Sequence, residues 1–312
     1  MWGMHVITIE EPGLVRVRAE EPGDLASGTV RVRTLYSGVS AGTELTAYRG
    51  TNPYLNRKWD TERRLFVEGQ SHTYPLSGWG YQEVGEVVEA APDVSDPPVG
   101  SLVWGIWGHR DEAIVPAEKL VGHMIPPGVD PLAGVFARVG AIALNAVHAA
   151  DIHLGDQVAI FGQGVIGLLA TRLAVLNGAR VVAADALPAR LELAKRFGAA
   201  EAFDVGAGSV AEFVRKRIEG ADTAIELSGS HQGLHEAIRT VRKGGRVVAG
   251  PASTRARASG CGWERSSTTT RCSSSPRRSA ASPRGCPTGG TSSGCSARSW
   301  SSSTGARSTP SA

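Results

Sequence analysis

Hydrophobic and polar positions divide the chain into two patterns. Up to about residue 125, short runs alternate apolar with charged residues, as in Leu14-Val15-Arg16-Val17-Arg18, Thr29-Val30-Arg31-Val32-Arg33, residues 84–88 and Ala113-Ile114-Val115. A period of two predicts strands with one face exposed, and Pro12-Gly13, Pro22-Gly23 and Pro97-Pro98 punctuate them. The pattern predicts a compact, mostly β domain over residues 1–125. From about Asp130 the period lengthens. Residues 131–150 (PLAGVFARVGAIALNAVHAA) predict a helix that is apolar on most sides and buried between domains. Predicted strands at 157–161, 180–184, 202–203, 223–227 and 246–249 then alternate with predicted helices at 165–176, 189–196, 210–218 and 234–241. This predicts an α/β unit over residues 126–251, a doubly wound parallel sheet covered on both faces.

A glycine motif sits directly after the first of these strands and opens the first helix: residues 158–167 read VAIFGQGVIG. Gly162 permits a tight turn, Gly164 lets the backbone approach a pyrophosphate, and Gly167 permits close helix–strand packing. Val165 and Ile166 lie in the first helical turn, where free N–H groups and the positive end of the helix dipole favour phosphate. Asp185 ends the next strand, 18 residues beyond Gly167. A carboxylate there accepts hydrogen bonds from a ribose 2′-OH and repels a 2′-phosphate, which points to NAD over NADP. Its structural alternative is a helix N-cap. Arg190 reaches the ribose or adenine, or else lies on a solvated helix face. Ser228 and Gly250 fall at the carboxyl ends of later strands, where the ligand crevice of a Rossmann dinucleotide-binding unit forms.

Composition changes this picture mainly at one end. The net charge of +3 is a poor guide, because residues beyond 251 hold nine Arg and a single acid, Glu264. The remaining 24 basic and 29 acidic residues make the body mildly acidic, which argues against nucleic acid as a partner. All four cysteines lie in the same tail, without the short pairs of zinc sites. No unbroken run of 18 apolar residues and no secretory signal occurs, so no membrane partner and a cytoplasmic address are expected. Residues 252–312 contain no Leu, Ile, Val, Phe, Tyr, Met, Lys, Asp, Asn, Gln or His, which predicts a disordered tail. GC-rich codons for residues 259–303, displaced by two bases, encode a segment of globular composition that ends in an amphipathic pattern. A frameshift near residue 252 is therefore expected, with a natural low-complexity tail as the alternative.

A β-rich N-terminal part, a bridging helix and a Rossmann unit together resemble the medium-chain dehydrogenase/reductase superfamily, the zinc-type alcohol dehydrogenases and their relatives. The likeness covers about residues 5–251. Residues 39–44 (VSAGTE) resemble the loop that reads C-G-[ST]-D in zinc-dependent members. Residues 80–87 (GYQEVGEV) resemble the G-H-E-x-x-G strand, and residues 155–167 match G-D-x-V…GxGxxG. The resemblance implies a GroES-like N-terminal domain, a nicotinamide cofactor and a small alcohol or carbonyl substrate. It also implies a homodimer for an intact-frame version, formed through the last Rossmann strand.

Measured against that family, Ser40 takes the cysteine position, Tyr81 the histidine position, and residues 136–138 offer no third ligand. The four-cysteine structural lobe is missing, so the resemblance implies a member without catalytic zinc. The loop Tyr36-Ser37-Gly38-Val39-Ser40-x-Gly42-Thr43-Glu44 is similar to that of bacteriochlorophyllide dehydrogenase and its sugar-dehydrogenase-like relatives. Charge developing on a carbonyl oxygen then needs protein donors, and Tyr81, Ser40, Thr43, Glu44 and His109 are the candidates. Glu44 has two structural alternatives, fixing its loop or pairing with Arg49. Trp79, Trp104 and Trp107 line a substrate pocket or pack in the core. Residues 48–74 form either a substrate-covering loop or a solvated one. Three functions are expected in competition: an NAD(H)-dependent alcohol, sugar or polyol oxidoreductase without zinc, an NAD-binding protein that is catalytically silent because the tail lacks what the family uses to finish the fold, and a metal-dependent dehydrogenase with unfamiliar ligands.

Overall fold

The computed structural model describes residues 4–21 and 23–250 and the strand Thr270–Ser273. The N-terminal part begins with strands β1 (Met4–Glu11), β2 (Leu14–Glu20) and β3 (Thr29–Ser37) and the short helix α1 (Glu44–Tyr48). The hairpin β4 (Arg57–Asp60) and β5 (Leu65–Glu68) follows, then β6 (Leu76–Ser77), β7 (Glu83–Ala90), β8 (Leu102–Gly105) and β9 (Glu112–Pro116). Strands β8-β7-β3-β9 form one antiparallel sheet and β2-β1-β6 a second. In β3 the period of two is realised as expected: Val30 and Val32 are fully buried among Val87, Val103 and Val115. Arg31 and Arg33 point outward to Glu89 and Glu86 across the ladder, at 2.8 and 2.6 Å. Each buried valine contributes about 1.5–3 kcal/mol, whereas the half-exposed pairs contribute roughly 0–1 kcal/mol.

The same pattern misleads in β2. Among the described residues this strand pairs only with β1, and Val15 and Val17 are left 45% and 64% exposed. Alternation sets parity but cannot say whether a partner layer exists.

Most of residues 48–74 is exposed, as a solvated loop would be, but the segment carries its own apolar anchor. Leu55 and Phe66 are buried, and Tyr54 and Trp59 pack on Phe66 with ring centroids 5.1 and 5.0 Å away. The segment is anchored to α1 through Asn52, whose buried amide donates to Thr46 Oγ1 at 2.9 Å, and through the Tyr74 hydroxyl on the Ala47 carbonyl.

After a 3₁₀ segment at Pro131–Phe136 come α2 (Ala137–Ala150), β10 (Gln157–Phe161), α3 (Val165–Leu176) and β11 (Arg180–Asp185). Then follow α4 (Pro188–Arg196), β12 (Glu201–Asp204), α5 (Val210–Ile218), β13 (Ala221–Glu226), α6 (His231–Thr240) and β14 (Val241–Ala249). The sheet order is β12-β11-β10-β13-β14, all parallel, and the chain switches sides of β10 between β12 and β13. Successive residues of β10 serve opposite faces: Val158 and Ile160 pack with α2 and α3, whereas Ala159 and Phe161 pack with α5 and α6. This is why the strand reads as a continuous apolar run.

The segment Pro131–Ala150 is long and apolar enough, by length and composition, to cross a membrane. Here one side of it packs on the parallel sheet and on α3 through Val139, Ala143, Ala146, Val147 and Ala150. Its 3₁₀ part touches β7 and β3, so the segment does bridge the two sheets. Full burial is not realised, however: Leu132, Phe136 and Leu144 are 46%, 43% and 40% exposed along one stripe. Of the tail at 252–312, only Thr270–Ser273 lies among the described residues. It is a strand, β15, antiparallel to β14 from Arg246 to Ala249, which departs from the expectation of a tail without structure. The remaining expectations for the tail, including the frameshift, lie outside the described residues.

Candidate active site and cofactor crevice

Two polar assemblies emerge. The first is a crevice of about 790 Å³ at the carboxyl ends of β10, β11 and β13, where the strand order reverses. Gly162 has φ +84°, and a Cβ there would meet the Ser228 backbone at 2.5 Å. A Cβ on Gly167 would fall 1.8 Å from the Gly162 carbonyl oxygen, while one on Gly164 would meet nothing. The three glycines thus do different work: a turn, an open approach and a close helix contact. A phosphate-bearing ligand fits that cradle, because α3 presents its N-terminus there with Gly164 as cap and no side chain covering it.

Asp185 is 7% exposed at the crevice wall. Its Oδ2 accepts from the Gln163 N–H at 2.6 Å and its Oδ1 from the Leu187 N–H at 2.9 Å. The N-cap of α4 is Leu187, so Asp185 is not the cap itself. Arg190 also lines the crevice, with Nη1 3.7 Å from Asp185 Oδ2. Asp204 and Glu236 add further acids to the wall. Ser228 lines it too, in a turn held by Glu226, whose buried Oε1 accepts from Ser228 N at 2.7 Å and Gly229 N at 3.1 Å. Burial raises the Glu226 pKa, and those donors partly oppose the shift.

Val165 and Ile166 lie in the first turn of α3, where the expectation put their N–H groups. The Val165 side chain is half exposed and that of Ile166 turns inward onto the core, so only their backbone faces the ligand position. Gly250 donates its N–H to the Glu226 carbonyl at 2.8 Å and abuts Leu227, outside the crevice wall. Leu227 itself lines the crevice. Sequence reading missed Gln163, a fully buried side chain that accepts from Thr171 Oγ1 at 2.9 Å and donates to the Ile160 carbonyl at 3.0 Å. It braces the glycine turn from within.

The second assembly lies in the β-rich part and brings all five candidate catalytic residues together. The Tyr81 hydroxyl donates to Ser40 Oγ at 2.5 Å and lies 3.5 Å from Thr43 Oγ1. Arg138, in the first turn of α2, places its guanidinium carbon 5.5 Å from the Tyr81 ring centroid. Glu44 Oε1 accepts from the Ser40 N–H at 2.9 Å, and its Oε2 meets His109 Nε2 at 2.7 Å. Glu44 therefore fixes its own loop and pairs with His109, not with Arg49. The other ring nitrogen of His109 meets Ser37 Oγ at 2.6 Å. Since Glu44 reaches Ser40 only through a backbone N–H, these bonds give no continuous proton path from His109 to Tyr81.

The hydrogen bond from Glu44 raises the His109 pKa above its ordinary value, with burial opposing it and the charges of Glu44 and Glu83 adding to it. Glu83, which sequence reading passed over, is fully buried beneath this group and accepts from Trp107 N at 3.1 Å. Burial raises its pKa. A signal existed: a glutamate between Gly80 and Gly85, within the stretch that resembles the family's G-H-E-x-x-G strand. The tryptophans pack instead of lining a pocket. Trp107 is in the core with its indole donating to Thr34, Trp104 stacks on His123 at 3.7 Å, and Trp79 meets His72 edge-on.

The donor set at the family's metal position does not suit zinc. Two neutral hydroxyls bonded to each other, with a guanidinium nearby, offer neither thiolate, imidazole nor carboxylate. Among the described residues no group of three or more His, Cys, Asp or Glu is arranged to hold a metal ion.

A family model described as zinc-binding dehydrogenase matches residues 165–256. L-threonine 3-dehydrogenase of Streptomyces coelicolor is 32% identical over 274 residues, covering 76% of this chain and 73% of its own. D-guloside 3-dehydrogenase of Escherichia coli is 26% identical over 257 residues, covering 78% and 72%. Among solved structures, an NADP-bound zinc-binding dehydrogenase from Sinorhizobium meliloti superposes with a TM-score of 0.67 at 25% identity, over 80% of this chain and 77% of that one. Together with the paired β and doubly wound architecture, these similarities establish that the chain belongs to the medium-chain, zinc-type alcohol dehydrogenase-like superfamily.

Proposed function

We propose that this protein is an NAD(H)-dependent oxidoreductase that interconverts an alcohol, sugar or polyol hydroxyl with a carbonyl, without catalytic zinc. The observation that carries the reading is the Tyr81–Ser40 hydrogen bond at the family's metal position, in a chain whose glycine turn and Asp185 form a nucleotide crevice. A nicotinamide dinucleotide, when bound, accepts or supplies the hydride. Gly162, Gly164 and the α3 N-terminus would hold its pyrophosphate, and Asp185 its adenosine ribose. Asp185, Asp204 and Glu236 make the wall unfavourable for a 2′-phosphate, which supports NAD.

In the reducing direction Tyr81 donates its phenolic proton to the substrate oxygen as negative charge develops there. Ser40 and Thr43 orient the phenol and can bond a neighbouring substrate hydroxyl. Arg138 adds positive charge on the ring side, worth about 0.5–1 kcal/mol at an accessible position. D-guloside and L-threonine dehydrogenases, by their names, oxidise hydroxyl-bearing substrates, so polyols, glycosides and hydroxy amino acids form the first panel.

The test combines NADH binding by fluorescence, NAD reduction across that panel, and metal analysis of the purified protein. Turnover with NAD and without stoichiometric metal is expected; turnover that needs bound zinc would overturn the proposal. The exposed Leu132, Phe136 and Leu144 favour a second reading, in which apolar surface that a complete fold would cover is bare and the protein binds nucleotide without turnover. NADH binding with no reaction on any panel member would select it.

A further inference from the structure

Beneath Gly80 four side chains from separate parts of the chain converge: Ser37 ends β3, Glu44 begins α1, Glu83 begins β7, and His109 lies between β8 and β9. The closeness depends on glycine. A Cβ on Gly80 would sit 2.9 Å from Glu83 Oε1 and 3.0 Å from His109 Nε2, and one on Gly108 would fall 1.8 Å from the Gly78 carbonyl. Both carboxylates are buried, Glu44 at 5% and Glu83 at 0% exposure.

The contacts also have a direction. Glu44 Oε2 lies 2.7 Å from His109 Nε2, Ser37 Oγ lies 2.6 Å from His109 Nδ1, and Ser37 Oγ lies 3.3 Å from Glu83 Oε1. With both ring nitrogens protonated, every contact has one donor and one acceptor: His109 donates to Glu44 and to Ser37, and Ser37 donates to Glu83. With a neutral ring and both carboxylates ionised, the single Ser37 proton must serve either Nδ1 or Glu83, and one close contact lacks its hydrogen. Two buried carboxylates on either side of one imidazole are the complement of a cation.

We propose that Glu83 is a positioning residue of the active site: through Ser37 it keeps His109 doubly protonated and turned onto Glu44, which fixes Ser40 beside Tyr81. The inference rests on the reading of Tyr81 and Ser40 as the groups that meet substrate. None of Glu83, Ser37 and His109 need touch substrate. The link runs from the head of β7 to the loop that carries the hydroxyls, and it ends on the Ser40 N–H.

The test uses the full chain labelled with ¹⁵N-histidine, with the His109 signals assigned by their loss in His109→Gln. Both ring nitrogens are expected to carry protons at neutral pH. Glu83→Gln and Ser37→Ala should each lower the pH at which the ring loses its proton by about one unit. They should also lower kcat about tenfold with the NADH Kd unchanged. Combining the two should add little, because both act along one path. A His109 titration unmoved by Glu83→Gln and by Ser37→Ala overturns the proposal; the serine variant serves if the buried glutamine prevents folding. A wild-type chain that binds NADH but oxidises nothing would defeat the functional reading alone, since the histidine signals still decide this one.

Discussion

Tyr81 is where chemistry and sequence meet most directly. Its hydroxyl is the one phenolic group in hydrogen-bond reach of both Ser40 and Thr43. Replacing it by Phe keeps the ring above which Arg138 sits and removes only the proton donor. Tyr81→Phe is expected to lower kcat by about 10²–10⁴-fold with little change in NADH binding, as steady-state rates and fluorescence titration would report. Asp185→Ser should raise the preference for NADP relative to NAD by about tenfold or more, read as a ratio of kcat/KM values, because a like charge facing the 2′-phosphate is removed.

His109 makes a pH-dependent contribution whose sign follows from its raised pKa. The folded state binds the ring proton more tightly than the unfolded chain, whose imidazole titrates near about 6.5. The stabilisation is therefore complete below that pH and is lost as pH rises through the higher folded value. Denaturant unfolding of wild type and His109→Gln should show a gap in stability at pH 6 that narrows by pH 9. A gap that widens with pH would contradict the charged pairing with Glu44.

At the scale of elements, the glycine turn between β10 and α3 is the most constrained joint in the nucleotide-binding part. An alanine at position 167 places a methyl against the Gly162 carbonyl and would force the helix away from the strand. Gly167→Ala is expected to cost about 1–3 kcal/mol of stability, measured by denaturant unfolding, and to weaken NADH binding as well. Gly164→Ala, with open space at that position, should leave stability nearly unchanged and affect only ligand affinity.

Elements were legible in the sequence wherever local pattern and packing agreed. Residues 165–176 and 210–218 form helices with the bounds the pattern predicts, since an apolar stripe and the glycine or serine cap lie in the same short window. Val15 and Val17 have the alternation of a half-buried strand but are left exposed among the described residues, because burial depends on distant partners. The helix at residues 137–150 was legible, whereas its exposed stripe was not, because apolarity alone does not name a neighbour. Tyr81, Ser40, Thr43, Glu44 and His109, singled out from matching loops and a Trp-rich stretch, do lie together. Glu83 and Gln163 escaped because a buried polar residue is recognised by its partners, and those lie at Ser37, Trp107, Thr171 and Ile160.

For the molecule as a whole, the parallel sheet and its crevice form the part that a nucleotide would hold together. A ligand that binds only the folded state at a hundred times its Kd adds about 2.7 kcal/mol to stability. NADH at that concentration should raise the midpoint of thermal unfolding, and Asp185→Ser should remove most of the increase. The Leu132–Phe136–Leu144 stripe works in the other direction, as apolar surface exposed to water.

The two amide hydrogen bonds to Asp185 have a bearing on binding kinetics. They lock the carboxylate's torsions before any ligand arrives, while a carboxylate retains lone pairs beyond those two bonds. Docking of a ribose would therefore avoid the roughly 0.5–1.5 kcal/mol of entropy lost when a mobile side chain is immobilised. Stopped-flow association with NADH should accordingly be a single concentration-linear phase, with no slow isomerisation following the encounter.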